Sequence, residues 1–310
     1  MKTHHLDLET QVNEKLFHLA IGNFDGIHLG HKKIIKQLVS KARDDNKASA
    51  ILSFKPHPRQ YFSKDLDRYQ IIGERKKQLI LKNLGIDSFF LLNFDYSIAN
   101  LSPSDFITKI IVEKLQVSKL IVGYDFRFGK DREGDILLLK DHAIIHGFDL
   151  VIIDPIKDNL TNQVYSSSSI RELIKNGHME KANKMLGYLW AMEGEVIHGD
   201  KRAREMNFPT ANILPHQQIY PLKGVYVIKT SINQKNYNGI ANFGERPTVD
   251  GKKLLLEVNL FDFDENIYGK YLTVEFLTFI RSEKKFNNFA LLVEQIEKDI
   301  QIAKNYHLNK

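Results

Sequence analysis

Short apolar segments alternate with helix-like segments over the first half of the chain. The apolar runs lie near residues 16–24, 49–54, 88–94, 119–126 and 149–155, and amphipathic stretches separate them. Helices are predicted from Gly30, over residues 74–84, after an N-cap at Ser102 with Pro103 in the first turn, and from Asp135. Repeated strand-helix-strand units predict an α/β domain with a doubly wound parallel sheet, whose ligands bind at the carboxyl ends of the strands.

The pattern changes in the second half. A polar loop over residues 157–169 precedes a helix predicted over residues 170–186, which we expect to close the first domain. Beyond Gly187 the apolar runs are closely spaced and typical of antiparallel strands, and apolar residues then recur at helical spacing from Phe289 to Ile300. This half therefore predicts a β-barrel with a terminal α-helix, and the domain limits are predicted as 1–186 and 187–310.

Composition narrows the class of protein. The 310 residues include no cysteine, which excludes disulfides and thiolate chemistry and fits a reducing cytoplasm. The N-terminal segment lacks the apolar core of a signal peptide, and no apolar run approaches the length of a membrane span. The net charge of +6 is spread over amphipathic helices. We therefore expect a cytoplasmic protein that binds anionic small molecules, with no nucleic acid and no membrane as partners, as a monomer or weak homo-oligomer.

The segment IGNFDGIHLGH, residues 21–31, carries the strongest chemical signal. Gly22, Gly26 and Gly30 allow the backbone to approach a bulky anion or to adopt positive φ. The following helix presents unpaired amide groups and the positive end of its dipole to phosphate oxygens. His28 and His31 are three residues apart, so both imidazoles can face one anion.

This segment resembles the phosphate-binding signature of nucleotidyltransferases related to class I tRNA synthetases, in the version found in bacterial bifunctional riboflavin kinase/FMN adenylyltransferases. Three further segments match that family in order: FKPHPRQYF (54–62), VGYDFRFGKDREGD (122–135) and YSSSSIREL (165–173). The last departs from the family pattern SSTxIR only in Ser168, which keeps the hydroxyl of threonine. The residues then assigned to ATP and its phosphates are Gly22, Asn23, Phe24, Asp25, Gly26, Gly30, His57, Asp125, Arg127, Ser166, Ser167 and Ser168.

The resemblance implies adenylyl transfer, in which a phosphate oxygen of FMN attacks the α-phosphorus of ATP and pyrophosphate leaves. Such chemistry depends on positioning and charge neutralisation. His28, His31 and Arg171, with Mg²⁺, are the candidate catalytic groups. Phe126 and Phe128 are interpreted as packing residues. His57, between two prolines, either contacts nucleotide or belongs to a rigid turn.

The second half resembles the riboflavin kinase module of the same family, through GEVIHGDKRAREMNFPTANI (194–213), NFGERPTV (242–249) and LLEVNLFDFDENIYGKYLTVEF (255–276). The resemblance implies that Thr210 and Asn212 hold Mg²⁺ on the ATP phosphates, and that Glu257 accepts the proton of the ribityl 5′-hydroxyl. The residues assigned to ATP in this half are Gly199, Arg204 and Pro209. The chain departs from the family at Ala203 and Asn207, where glycine is usual.

The leading hypothesis is a bifunctional enzyme that converts riboflavin to FMN and FMN to FAD, with ATP as co-substrate and flavins as substrates and products. Two alternatives remain: an FMN adenylyltransferase whose kinase-like domain has degenerated, and a non-catalytic, flavin-responsive regulatory protein. An enzyme acting on tRNA is disfavoured, because SSSSIR stands where a lysine-rich KMSKS signature is expected.

Overall fold

The computed structural model describes residues 1–12, 16–63, 68–158, 162–197, 210–215, 218–248 and 251–309. The chain forms two compact units. Unit 1 comprises Met1–Asp67 and Glu74–Ser166, and unit 2 comprises Arg68–Gly73 and Ser167–Lys310. These units describe packing, whereas the functional domain limits of 1–186 and 187–310 stay a prediction.

Unit 1 is an α/β unit. Its strands are β1 (Lys2–Leu6), β2 (His18–Ile21), β3 (Ser49–Lys55), β4 (Ser88–Asn93), β5 (Lys119–Gly123) and β6 (Asp149–Ile153). Its α-helices are α1 (Leu29–Asp44), α2 (Pro58–Phe62), α3 (Glu74–Asn83), α4 (Tyr96–Ala99), α5 (Pro103–Asp105) and α6 (Ile136–His146). Helix α5 continues directly into a π-helix (Phe106–Lys114), and a 3₁₀ turn covers Lys130–Arg132. The predicted N-cap is confirmed, since Ser102 Oγ accepts a hydrogen bond from the Asp105 amide at 3.1 Å.

The six strands form one sheet in the order β1-β4-β3-β2-β5-β6, and every neighbouring pair is parallel. All four residues of β2 are buried, and so are the first five of β3 and of β4, as expected for central strands covered on both faces. The direction of winding reverses between β2 and β5. The predicted doubly wound sheet is confirmed, and its switch point lies where β2 leads into α1.

Unit 2 is built on a barrel. Its strands are β7 (Ala191–Ile197), β8 (Ala211–Pro215), β9 (Gly224–Ile232), β10 (Lys235–Thr248), β11 (Gly251–Leu260) and β12 (Tyr271–Ser282), and its helices are α7 (Ser167–Lys175), α8 (Met179–Leu186) and α9 (Phe289–Leu308). The strands close in the order β10-β11-β8-β7-β12-β9, with antiparallel pairing throughout. Ala303 of α9 packs on Val227 and Ile240. The predicted barrel with a terminal helix is confirmed.

The helix predicted over residues 170–186 is wrong in one respect, because it is two helices. Gly177 adopts φ +75°, a left-handed conformation that ends α7, and α8 starts two residues later. A second left-handed glycine, Gly187, caps α8.

The segment 68–73 is held within unit 2 by hydrogen bonds to its backbone. Trp190 Nε1 donates to the Ile71 carbonyl at 2.8 Å, and the Ile219 amide donates to the Gln70 carbonyl at 2.8 Å. Trp190 is fully buried. Among the helices that the structure describes, none combines the length and the apolar character needed to cross a membrane.

Candidate active sites

The loop between β2 and α1 has the strained backbone of a close-fitting turn. Gly26 adopts φ +80°, and two non-glycine residues, Phe24 (φ +45°) and Ile27 (φ +32°), also lie at positive φ. Such conformations are uncommon for bulky side chains and persist only where surrounding contacts enforce them. The Gly22 amide ties the start of the loop to β3 by donating to the Leu52 carbonyl at 3.1 Å.

His28 caps α1 and stacks on His31. Its Nδ1 accepts a hydrogen bond from the His31 amide at 3.2 Å, and the two rings lie 3.6 Å apart with an interplanar angle of 18°. His28 is 4% exposed. Because Nδ1 accepts, the neutral ring carries its proton on Nε2, which makes Nε2 a hydrogen-bond donor. The pair therefore places imidazole groups at the positive end of a helix, as an anion site requires.

Gly30 allows close packing around His28. A Cβ at this position would lie 3.1 Å from ring atoms of His28 and 3.1 Å from the Cβ of Tyr165. The absence of a side chain therefore lets the imidazole lie against the first turn of the helix.

Beneath the loop lies a polar cluster that the sequence reasoning missed in part. Asp25 is 3% exposed, and Lys77 of α3 is 8% exposed. Lys77 Nζ donates a hydrogen bond to the Asn23 carbonyl at 2.9 Å. A signal was present in the sequence, because Lys77 lies four residues before the buried Leu81 and thus on the core-facing side of α3.

Two further loops follow neighbouring strands at the same edge of the sheet. His57, after β3, is 8% exposed and caps α2, with Nδ1 accepting from the Arg59 amide at 3.1 Å. Asp125 and Arg127, after β5, are exposed, and Arg127 Nη1 lies 3.5 Å from Asp135 Oδ2. Because β3 and β5 flank β2, the strand order brings these loops beside the His28 turn.

The aromatic residues of the segment 122–135, Phe126 and Phe128, pack as expected. Phe128 is 6% exposed within the core, and the rings of Phe126 and Phe128 stack at 5.4 Å.

The serine-rich segment meets the start of α7. Ser166 ends unit 1, whereas Ser167, Ser168 and Arg171 belong to unit 2. Ser168 is exposed, and Arg171 is 6% exposed. Arg171 Nε donates to the Tyr69 carbonyl at 2.9 Å. A shared role of Arg171 with the two histidines stays a prediction.

In the barrel, three polar residues form a row across adjacent strands. Glu257 of β11 lies directly opposite Asn212 of β8 on one side and Asn242 of β10 on the other. Asn242 Nδ2 donates to Glu257 Oε2 at 3.5 Å. Opposed residues point to one face of a sheet, and Ile240, two residues before Asn242, packs with Ala303. The row therefore lies on the barrel face that α9 partly covers.

This row offers oxygen ligands. Asn212 is 7% exposed, Glu257 is half-buried, and Thr210 directly precedes β8. In the described part of the chain, no cluster of three or more His, Cys, Asp or Glu side chains could hold a metal by itself. The residues present fit Mg²⁺, which prefers oxygen and binds through few protein ligands together with substrate phosphates.

Some predicted positions lie outside the described residues. They are Gly199, Arg204 and Pro209, together with the departures at Ala203 and Asn207.

Comparison with known proteins places both halves. The FAD synthetase family model matches residues 10–169, and the riboflavin kinase model matches residues 186–307. Proteins named bifunctional riboflavin kinase/FMN adenylyltransferase are similar to the chain over nearly its full length. The Haemophilus influenzae protein is 40% identical over 93% of both chains, and the Bacillus subtilis protein is 37% identical over 99% of this chain and 96% of its own.

A solved structure described as a macrolide-efflux protein from Streptococcus pneumoniae has the same fold. It matches with a TM-score of 0.87 and 28% identity, over 98% of this chain and 99% of that one. Both family models match, and the relatives align with the chain over nearly its full length. The chain therefore belongs to the family of bifunctional riboflavin kinase/FMN adenylyltransferases.

Proposed function

We propose that the chain makes FAD from riboflavin in two ATP-dependent steps, with adenylyl transfer at the loop after β2 and phosphorylation at the polar row of the barrel. The observation that carries this assignment is the stacked pair of His28 and His31 at the start of α1, at the switch point of the parallel sheet.

In the adenylyl step, a phosphate oxygen of FMN attacks the α-phosphorus of ATP. The bond from that phosphorus to the bridging oxygen breaks, and pyrophosphate leaves. His28 Nε2, the amides at the start of α1 and His31 stabilise the charge that develops on the phosphates. Arg171 is assigned to the phosphates by resemblance alone. No covalent intermediate is needed, since alignment and charge neutralisation carry the reaction.

In the kinase step, the oxygen of the ribityl 5′-hydroxyl attacks the γ-phosphorus of ATP, and ADP leaves. Glu257 accepts the proton of that hydroxyl. Asn212 and Thr210 are the ligands that would hold Mg²⁺ beside the phosphates. When bound, the ion neutralises phosphate charge. Gly199, Arg204 and Pro209 are assigned to ATP in the same site by resemblance alone.

The remaining proposals concern the setting of the enzyme. Its partners are small anionic molecules, which suit a chain of net charge +6, and it acts without nucleic acid as a monomer or weak homo-oligomer in the cytoplasm. The two alternatives, a degenerate kinase domain and a non-catalytic regulator, are disfavoured because both family models match.

To test both reactions, purified protein is incubated with riboflavin, ATP and MgCl₂, and the flavins are separated by chromatography. A parallel reaction contains EDTA in place of MgCl₂. We expect FMN to appear first and FAD to follow, and neither to form with EDTA. Formation of FAD from added FMN but of nothing from riboflavin would select the adenylyltransferase with a degenerate barrel. Failure of both reactions would favour the regulator.

A further inference from the structure

Lys77 is a buried lysine of unit 1 to which the mechanism above assigns no role. It projects from α3 into the interior with 8% exposure, on the same side as Leu81, which is fully buried. Lysine is seldom buried this far unless a partner compensates the loss of hydration.

Lys77 binds the backbone of the loop between β2 and α1. Lys77 Nζ donates to the Asn23 carbonyl at 2.9 Å, and Ser53 Oγ of β3 lies 3.4 Å from the same oxygen. One peptide group of the loop is therefore tied both to α3 and to the sheet.

The charges around Lys77 come from the loop and from its own helix. Burial lowers the pKa of Lys77, and the carboxylates of Asp25 and Glu74 act in the opposite direction by favouring the ammonium. Asp25 is 3% exposed, whereas Glu74 also pairs with Lys55. Lys77 and Asp25 are thus both buried in unit 1 close to the loop, where the Asp25 carboxylate favours the charged form of Lys77.

The hydrogen bond from Lys77 adjoins the strained residue of the loop. Phe24, at φ +45°, directly follows Asn23, whose carbonyl Lys77 binds, and precedes the buried Asp25. The Phe24 ring in turn meets the His31 ring edge to face at 5.2 Å, and His31 stacks on His28. A continuous set of contacts therefore runs from Lys77 to both histidines.

Stability alone does not account for a lysine here. A buried ion pair is often no more stabilising than well-packed apolar side chains of similar volume, because desolvation offsets the attraction. A methionine at position 77 could fill the same space. It could not donate a hydrogen bond to the Asn23 carbonyl, which directly precedes the left-handed Phe24.

We propose that Lys77 is a positioning residue for adenylyl transfer, whose Nζ holds the loop after β2 in the shape that binds the triphosphate of ATP. This inference rests on the proposed function, because it assumes that ATP binds at this loop.

The test measures FMN adenylylation by Lys77→Met, with the exposed Lys82→Met of the same helix as the matched control. We expect Lys77→Met to raise KM for ATP at least five-fold and to leave KM for FMN within two-fold of the wild type. A merely structural role would reduce the amount of active enzyme, and hence kcat, without changing KM for ATP. Lys82→Met should match the wild type in all three constants.

Two further variants keep the outcome decisive. Lys77→Gln retains an N–H donor, so we expect it to raise KM for ATP less than Lys77→Met does. If Lys77→Met does not fold, Lys77→Gln is compared directly with the wild type and must still raise KM for ATP. An unchanged KM for ATP, or an equal rise in KM for FMN, would overturn the inference. His28→Ala distinguishes failure of the proposed site from failure of the role of Lys77. If His28→Ala retains adenylylation, the proposed site is wrong. If His28→Ala is inactive and Lys77→Met has wild-type constants, only the role of Lys77 is refuted.

Discussion

The guanidinium of Arg171 lies 3.7 Å above the ring of Tyr69, and its Nε donates to the Tyr69 carbonyl at 2.9 Å. Stacking and hydrogen bond together fix the plane of the guanidinium. A cation held in one orientation loses less freedom when it binds a phosphate than one on a loose side chain.

Replacement of Tyr69 tests this arrangement. Tyr69→Ala keeps the backbone carbonyl and removes the ring, which costs about 1 kcal/mol of cation–π attraction. We expect kcat/KM for FMN adenylylation to fall about five-fold in Tyr69→Ala and to stay near the wild-type value in Tyr69→Phe. Equal activities of the two variants would show that the ring does not position Arg171.

Gly30→Ala probes the packing that holds His28. The added Cβ would lie 3.1 Å from the imidazole and from the Tyr165 Cβ, so these neighbours must move by about a few tenths of an ångström to accept it. We expect adenylylation to fall at least ten-fold while the riboflavin kinase rate of the same protein, measured by chromatography, stays unchanged. A wild-type adenylylation rate would show that the position of the His28 ring is not critical.

Asn242→Leu tests the polar row of the barrel. Asn242 lies opposite Glu257 and donates to its Oε2, so the substitution removes a contact that orients the carboxylate. We expect kcat of the kinase to fall five- to ten-fold and KM for riboflavin to change little, with Asn242→Gln, which retains the amide, recovering part of the loss. A change in KM alone would contradict an orienting role.

Asp299→Ala tests how α9 is anchored. Asp299 is 1% exposed, and both of its oxygens accept from Arg281 of β12, with Nη2 to Oδ2 at 2.7 Å. Removal of one partner leaves a partly buried guanidinium without its counter-ion, and we expect a loss of about 3 kcal/mol in the free energy of unfolding, measured by urea denaturation. The double variant Arg281→Met/Asp299→Leu should recover most of that loss. If Asp299→Ala is as stable as the wild type, the pair does not anchor the helix.

The parts of the fold that depend on local patterns could be predicted from the sequence. Buried strands such as β2, and the N-cap at Ser102 followed by Pro103, depend on residues that are adjacent in sequence. The edge strand β1 was missed because Lys2–Leu6 is short and mostly polar, and it is a strand only through its pairing with β4. The break at Gly177 was missed because apolar spacing continues across it.

The site divides in the same way. The turn with His28 and His31 is contiguous, and its signature is visible in the sequence. Asn242 and Glu257 meet only through the register of β10 with β11, and Lys77 reaches Asn23 from 54 residues away. Likewise the contact between Tyr69 and Arg171 joins segments that are distant in sequence. Contacts of this kind depend on the folded topology, which residue patterns do not encode locally.

The central claim is that two separate sites carry the two reactions, and crossed variants test it most directly. FMN and FAD are quantified by chromatography after incubation of the wild type, His28→Ala and Glu257→Ala with ATP, MgCl₂ and either riboflavin or FMN. We predict that His28→Ala forms FMN from riboflavin but no FAD, and that Glu257→Ala forms FAD from FMN but no FMN from riboflavin. Equal loss of both activities in either variant would contradict the division.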